Sequence, residues 1–175
     1  MKAVLISIQP KWCELIASGK KRIEVRKTRP KIETPFKCYI YCSKGKMFLY
    51  KNPNNGELFL DSNGGYGGGD YEDRFLTQKV IGEFVCDEII EDKCGDNADV
   101  FYKDGLMTLE EQKKYGKNNQ LYGWHISDLK IYDKPKELGE FGNYKTEWVQ
   151  WYHSDDKVFC PLTRPPQSWC YVEVI

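Results

Sequence analysis

No stretch of this 175-residue chain is apolar over the roughly 18–20 residues that a membrane-spanning helix needs. The opening Met1-Lys2-Ala3-Val4-Leu5-Ile6-Ser7-Ile8 is too short for one. It is followed by Gln9-Pro10-Lys11, where a signal peptide would carry small residues for cleavage. Histidine is scarce, with only His125 and His153. The 7 cysteines are an odd number without a tight framework, and the nearest pair, Cys38 and Cys42, fits no common zinc spacing. These shortages argue against a disulfide scaffold and a structural metal centre, and the thiols are expected to be reduced in a cytoplasmic protein. No metal, cofactor or membrane partner is expected. Net charge is missing too, with 26 Lys and Arg against 26 Asp and Glu.

What is present describes an ordinary globular chain. Hydrophobic residues make up 41% and charged residues 30%, within the range of a folded domain, so residues 1–175 are read as one unit. Aromatic residues reach 14%, and such side chains favour strands and also offer stacking surfaces. The charges are unevenly spread. Residues 1–51 carry 13 Lys and Arg against Glu14, Glu24 and Glu33, a balance of +10, which leaves −10 for the remainder. This asymmetry predicts either a basic face that meets an anion such as a nucleic-acid backbone, or two halves that neutralise each other on folding.

Local patterns give the order of elements. Met1–Ile8 reads as a buried strand. Pro10 suits a first helical position, Trp12, Leu15 and Ile16 share a helical face, and Gly19 can end that helix in the left-handed conformation. Arg22–Arg26 alternates as a half-buried strand, with Ile23 and Val25 on one side and Arg22, Glu24 and Arg26 on the other. Lys37–Ser43 follows as a strand. Met47–Lys51 and Glu57–Asp61 flank a Pro53-Asn54-Asn55-Gly56 hairpin turn, and Gly64 to Gly69 form a glycine-rich loop. Residues 44–77 read as an insertion. Beyond it come a long strand over Lys79–Glu91, a helix over Thr108–Lys114 with Thr108 and Glu111 in capping-box spacing, a strand over Leu121–Ile131 ended by Pro135, and a closing strand Trp169–Ile175. The sum is an α+β fold: a small mixed β-barrel with two or more short helices.

Chemistry concentrates in Gly19-Lys20-Lys21-Arg22-Ile23-Glu24-Val25-Arg26. A helix stop followed by three cations and an alternating strand can aim Lys21 into a cleft beside Glu24. A lysine so placed holds a phosphate or, when desolvated, acts as a base. The alternative is an ion pair between Glu24 and Arg26 with the lysines in solvent. Trp12, Trp124 and Trp169 serve either as core or as stacking platforms, and His125 and His153 are read as packing residues. Tyr66, with Arg74 and Lys79 beyond it, forms either a lid or a plain connector.

Four ordered segments resemble the ASCH domain family of the PUA-like superfamily. They are Ser7-Ile8-Gln9-Pro10-Lys11-Trp12 continuing through Gly19, Lys21, Glu24 and Arg26; Val80-Ile81-Gly82-Glu83-Phe84; Leu121-Tyr122-Gly123-Trp124-His125-Ile126 with Tyr132 and Pro135; and Pro165-Pro166-Gln167-Ser168-Trp169-Cys170-Tyr171-Val172. The resemblance implies a PUA-like barrel with a cleft beside the first helix, RNA or a modified nucleotide as partner, and binding by Gln9, Pro10, Trp12, Lys21, Arg26 and Trp124. One branch of the family hydrolyses acetylated cytidine with a Lys and a Thr from this stretch and a Glu elsewhere. Lys21 matches the lysine, but Glu24 stands where that branch has threonine, and Glu110 and Glu111 lie in the region of the distant glutamate. Another branch is assigned ribonuclease activity. Two readings follow: an RNA- or nucleotide-binding module, or a hydrolase on RNA or modified nucleosides with Lys21 and Glu24 as its catalytic pair. A third is a protein-interaction adaptor that uses the 44–77 segment.

Overall fold

The computed structural model describes residues 2–62, 74–93, 95–117, 120–149 and 152–173, with side chains described at all of these except 146–149 and 152–156. The glycine-rich run with Tyr66, and the side chain of His153, lie outside them.

The first strand, β1 (Lys2–Ile8), is buried because both of its faces are apolar, and it leads directly into α1 (Pro10–Ala17). Pro10 occupies the first turn, where its missing N–H costs nothing. Gly19, at φ +71°, turns the chain after the helix, as its sequence position predicts. The strand that follows, β2 (Ile23–Arg26), departs from the half-buried expectation: all four residues are buried. Its apolar side faces the core, and its charged side is enclosed by neighbouring loops.

Then come β3 (Phe36–Cys42) and the hairpin β4 (Phe48–Lys51) with β5 (Leu58–Asp61). The hairpin turns with Gly56 at φ +74° and packs against α1, placing Leu49 in the main hydrophobic cluster beside Leu76.

The predicted long strand over Lys79–Glu91 divides into β6 (Val80–Cys86) and β7 (Ile89–Asp92). The predicted strand from Leu121 likewise divides into β8 (Leu121–His125) and β9 (Ser127–Lys136), so Pro135 sits inside a strand and does not end one. Between these segments lie α2 (Ala98–Lys103) and α3 (Leu109–Gly116). The Thr108 hydroxyl accepts from the Glu111 amide while the Glu111 carboxylate accepts from the Thr108 amide, the expected capping box. A ribbon, β10 (Gly142–Val149) with β11 (Tyr152–Pro161), and β12 (Trp169–Glu173) complete the order.

The strands form a five-stranded sheet, β12-β1-β3-β6-β9, and a three-stranded sheet, β2-β8-β7, besides the two hairpins. The expected closed barrel is not formed among the described residues, because no ladder joins the edge strands β9 and β12. Two continuous segments cross from one sheet to the other. β6 pairs with β9 in the larger sheet, and each bends, at Asp87-Glu88 and at Ile126, so that β7 pairs with β8 in the smaller one. The bend is pinned by His125 Nδ1 to Asp87 Oδ1 at 2.7 Å and by Ser127 Oγ donating to the Val85 carbonyl at 2.9 Å.

Phe101 of α2 is fully buried against the smaller sheet, over Ile23, Val25 and Leu121. It rests on Gly123, where a Cβ would stand 2.7 Å from the Phe101 ring and 2.8 Å from the Ile23 methyl. Overpacking of this kind costs about 1–3 kcal/mol. Gly123→Ala is therefore expected to lower the urea midpoint by an amount in that range with an unchanged slope, and an unaltered midpoint would show that this contact is loose.

Candidate functional site

Both sheets deliver residues to one corner. At the end of β1 the chain enters α1 and returns as β2, so Ser7, Trp12, Lys21, Glu24 and Arg26 meet around a cleft of about 440 Å³. Tyr41 at the end of β3, Tyr115 of α3 and the Pro165–Gln167 turn complete its wall. Its size falls within the usual range for small-ligand sites.

The charged group is deeply set. Lys21, Glu24 and Arg26 are 3%, 5% and 8% exposed, which excludes the expectation of lysines free in solvent for Lys21. Arg26 Nη2 lies 3.0 Å from Glu24 Oε1 and donates at 2.6 Å to the Ser7 carbonyl, while Nη1 reaches Ser168 Oγ at 3.5 Å. One guanidinium thus ties β2 to the end of β1 and to the turn before β12. Lys21 Nζ donates to the Gly105 carbonyl in the α2–α3 loop, lies 3.7 Å from Glu24 Oε2, and sits 4.8 Å from the Trp12 ring centre. The loop is itself docked on β2, since the Arg22 and Ile23 amides donate to the Asp104 carbonyl.

Burial holds the Lys21 ammonium below the usual lysine range; Glu24 opposes that shift and Arg26 adds to it. Burial pushes the Tyr115 hydroxyl up, against the pull of Arg26 beside it. Glu24 Oε2 and Arg26 Nε are buried without a hydrogen-bond partner, although the first faces the Lys21 charge. Such atoms are rare in folded proteins; these two belong to residues that line a cleft, and the Trp124 indole Nε1, in the core, is a third among the described residues.

The other predicted site residues divide. Gln9 lines the cleft with Trp12, whose ring also has the Lys11 ammonium over it at 4.7 Å. Pro10 is buried under Gly45 and acts as the helix start. Trp124 is fully buried, with Phe36 edge-on at 5.8 Å and Trp169 at 5.9 Å, so its ring offers no stacking surface to a ligand. It is core because β8 lies at the centre of its sheet. His125 is engaged at the strand bend, away from the cleft lining. Glu110 and Glu111 are exposed, and Glu111 is held by its cap.

Sequence patterns do not single out Tyr41, Tyr115 or the Pro165–Gln167 turn as site residues. Tyr115 carries no motif, and only the folding of α3 onto β2 brings it there. Among the described residues no group of three or more His, Cys, Asp and Glu is placed to hold a metal ion, and no helix is long and apolar enough to cross a membrane. The basic amino-terminal third is partly neutralised by the later chain, through Arg29 with Glu91, Lys37 with Glu83 and Lys51 with Asp133.

Removing the acid at the centre of this group leaves two buried cations without their counter-charge, a change of about 3–5 kcal/mol where a buried pair is broken. Glu24→Ala is expected to lower unfolding stability by that amount, and Glu24→Gln, which keeps the shape and an acceptor, by clearly less. Equal, small effects in urea melts would mean that the group is solvated and not structural.

No curated protein matches the chain. The crystal structure of ASCH from Zymomonas mobilis superposes with a TM-score of 0.59 at 15% identity, covering 98% of this chain and 87% of that one. A serine-to-alanine mutant of the protein from that organism gives 0.60 at 14%, covering 98% and 88%. A tyrosine-to-phenylalanine mutant gives 0.52 at 16%, covering 79% and 77%. At these identities the likeness concerns the fold. The ASCH domain model matches residues 6–114, which span β1 to α3 and contain the Lys21–Glu24–Arg26 group. The chain belongs to the ASCH domain family.

Proposed function

We propose that the protein binds RNA or a modified nucleotide in the cleft between α1, β2 and α3. The observation that carries this reading is the convergence of two cations and a carboxylate, all buried, with the half-buried Trp12 and Tyr115 in a cavity of nucleotide dimensions. A base has acceptors for Lys21 and Arg26 and a donor for Glu24, and an aromatic wall holds its face. Lys44 at the rim and Lys11 over Trp12 add positive charge where a strand would approach. Membership of a family generally associated with RNA supports the same class of ligand.

Fluorescence anisotropy with labelled single-stranded RNA octamers tests this. Affinity is expected to fall steeply with salt, and Trp12→Ala, which removes one stacking surface, to weaken binding roughly tenfold. Binding that is flat in salt and indifferent to Trp12 would reject the cleft as the binding site.

A second reading rests on Lys21 itself. A lysine held below its usual range by burial, 3.7 Å from a carboxylate, has the properties of a proton acceptor in hydrolysis. Glu24 cannot replace the threonine of the acetylcytidine-hydrolysing branch as a nucleophile of the same kind, so any hydrolysis here proceeds by proton transfer or by charge stabilisation. Incubation with acetylated cytidine and with RNA, followed by chromatography, is expected to yield products that Lys21→Met abolishes. Turnover undiminished in that variant would exclude this site.

A further inference from the structure

A second recess adjoins the cleft and shares part of its wall. It measures about 350 Å³ and is lined by Trp12, Lys27, Met107, Glu111, Lys114 and Tyr115. Trp12, Met107 and Tyr115 line the main cleft as well, so the two compartments lie on either side of one shared wall. Tyr115 marks their boundary. Its hydroxyl lies beside the Arg26 guanidinium on the cleft side, while its ring lies 4.7 Å from the Lys27 ammonium on the other.

The two compartments differ in chemistry. The cleft holds paired, buried charges suited to reading polar edges. The recess has two exposed lysines, Lys27 and Lys114, one of which is steadied over an aromatic ring. Its carboxylate, Glu111, is exposed but engaged by the helix cap: Oε2 accepts from the Thr108 amide at 2.8 Å and from the Thr108 hydroxyl at 3.0 Å. Lysine ammoniums are compact, strongly hydrated charges of the kind that meet phosphate.

We propose that this recess is the phosphate subsite of the cleft, so that the ligand is a phosphorylated nucleotide, or one nucleotide of a strand, whose base and sugar lie beside Lys21 and Glu24 and whose phosphate lies by Lys27 and Lys114. The inference rests on the nucleotide reading above and adds the phosphate as the feature that is selected. The nucleotide passes over Tyr115, and a bare nucleoside leaves the recess unused.

Calorimetric titration of the full chain with the four ribonucleosides, their 5′- and 3′-monophosphates, and inorganic phosphate tests the assignment. The best monophosphate is expected to bind roughly tenfold more tightly than its nucleoside, the increment of charge-assisted hydrogen bonds. In the double variant Lys27→Ala/Lys114→Ala that ratio should collapse towards one. The salt slope of single-stranded RNA octamer binding should also fall by about 1.4, because two phosphate-contacting cations are gone. Both lysines are exposed, and a circular dichroism melt checks that the variant is folded.

Equal affinity for nucleoside and monophosphate overturns the subsite, as does a double variant that weakens both while keeping their ratio. Inorganic phosphate competing as well as the nucleotide would also overturn it, since the cleft would then contribute nothing. An octamer whose binding depends on Trp12 but not on Lys27 and Lys114 removes the subsite alone. If no nucleoside, nucleotide or octamer binds, the cleft reading fails and the subsite fails with it.

Discussion

The Arg26 guanidinium is the constraint on which the corner depends. It joins three pieces of chain that are distant in sequence: the carbonyl of Ser7 near the end of β1, the carboxylate of β2 and the hydroxyl of Ser168. A cation buried this far must be paired, because burying a lone charge is prohibitive. Glu24 supplies the pairing, and its second oxygen then faces Lys21. The positions of all three side chains therefore follow from one electrostatic requirement, and the floor of the cleft is a structural element that ties the sheets together.

Around this floor the apolar packing is divided. Val4, Ile6, Ile8, Cys13, Ile16 and Trp124 belong to a cluster between the larger sheet and α1, whereas Ile23, Val25, Phe101 and Leu121 form a second one beneath α2. The cleft opens where these clusters meet, along β2, whose two faces serve different ends. That division explains why a four-residue strand carries both core and charge.

Much of this is legible in the sequence, and the parts that are not have identifiable causes. The α1 start at Pro10, its end near Gly19, the hairpin at Gly56 and the Thr108 cap rest on local chemistry, and local chemistry is sufficient. The Lys21–Glu24–Arg26 spacing points to one charged corner, and the three side chains meet there. The burial of that corner is hidden, because it comes from the α2–α3 loop and the Pro165–Gln167 turn, which are remote in sequence. The same limit affects Trp124: an alternating strand does not announce whether it lies at the edge or the centre of a sheet. The breaks at Asp87-Glu88 and Ile126 look like continuous strand in the pattern, since a sheet-switching bend needs neither Gly nor Pro. Tyr115 becomes part of the site only through tertiary folding.

Those two bends restrict how the corner can move. Two lengths of backbone run unbroken from one sheet into the other and are hydrogen-bonded to each other on both sides of the crossing. The sheets are thus stitched together like a folded card whose crease is held by the His125–Asp87 contact, and neither half can slide or hinge away without tearing ladder bonds. Admission of anything large to the interior must come from the rim, where the segment carrying Gly105 and the proline turn are held by a few polar links and not by strands.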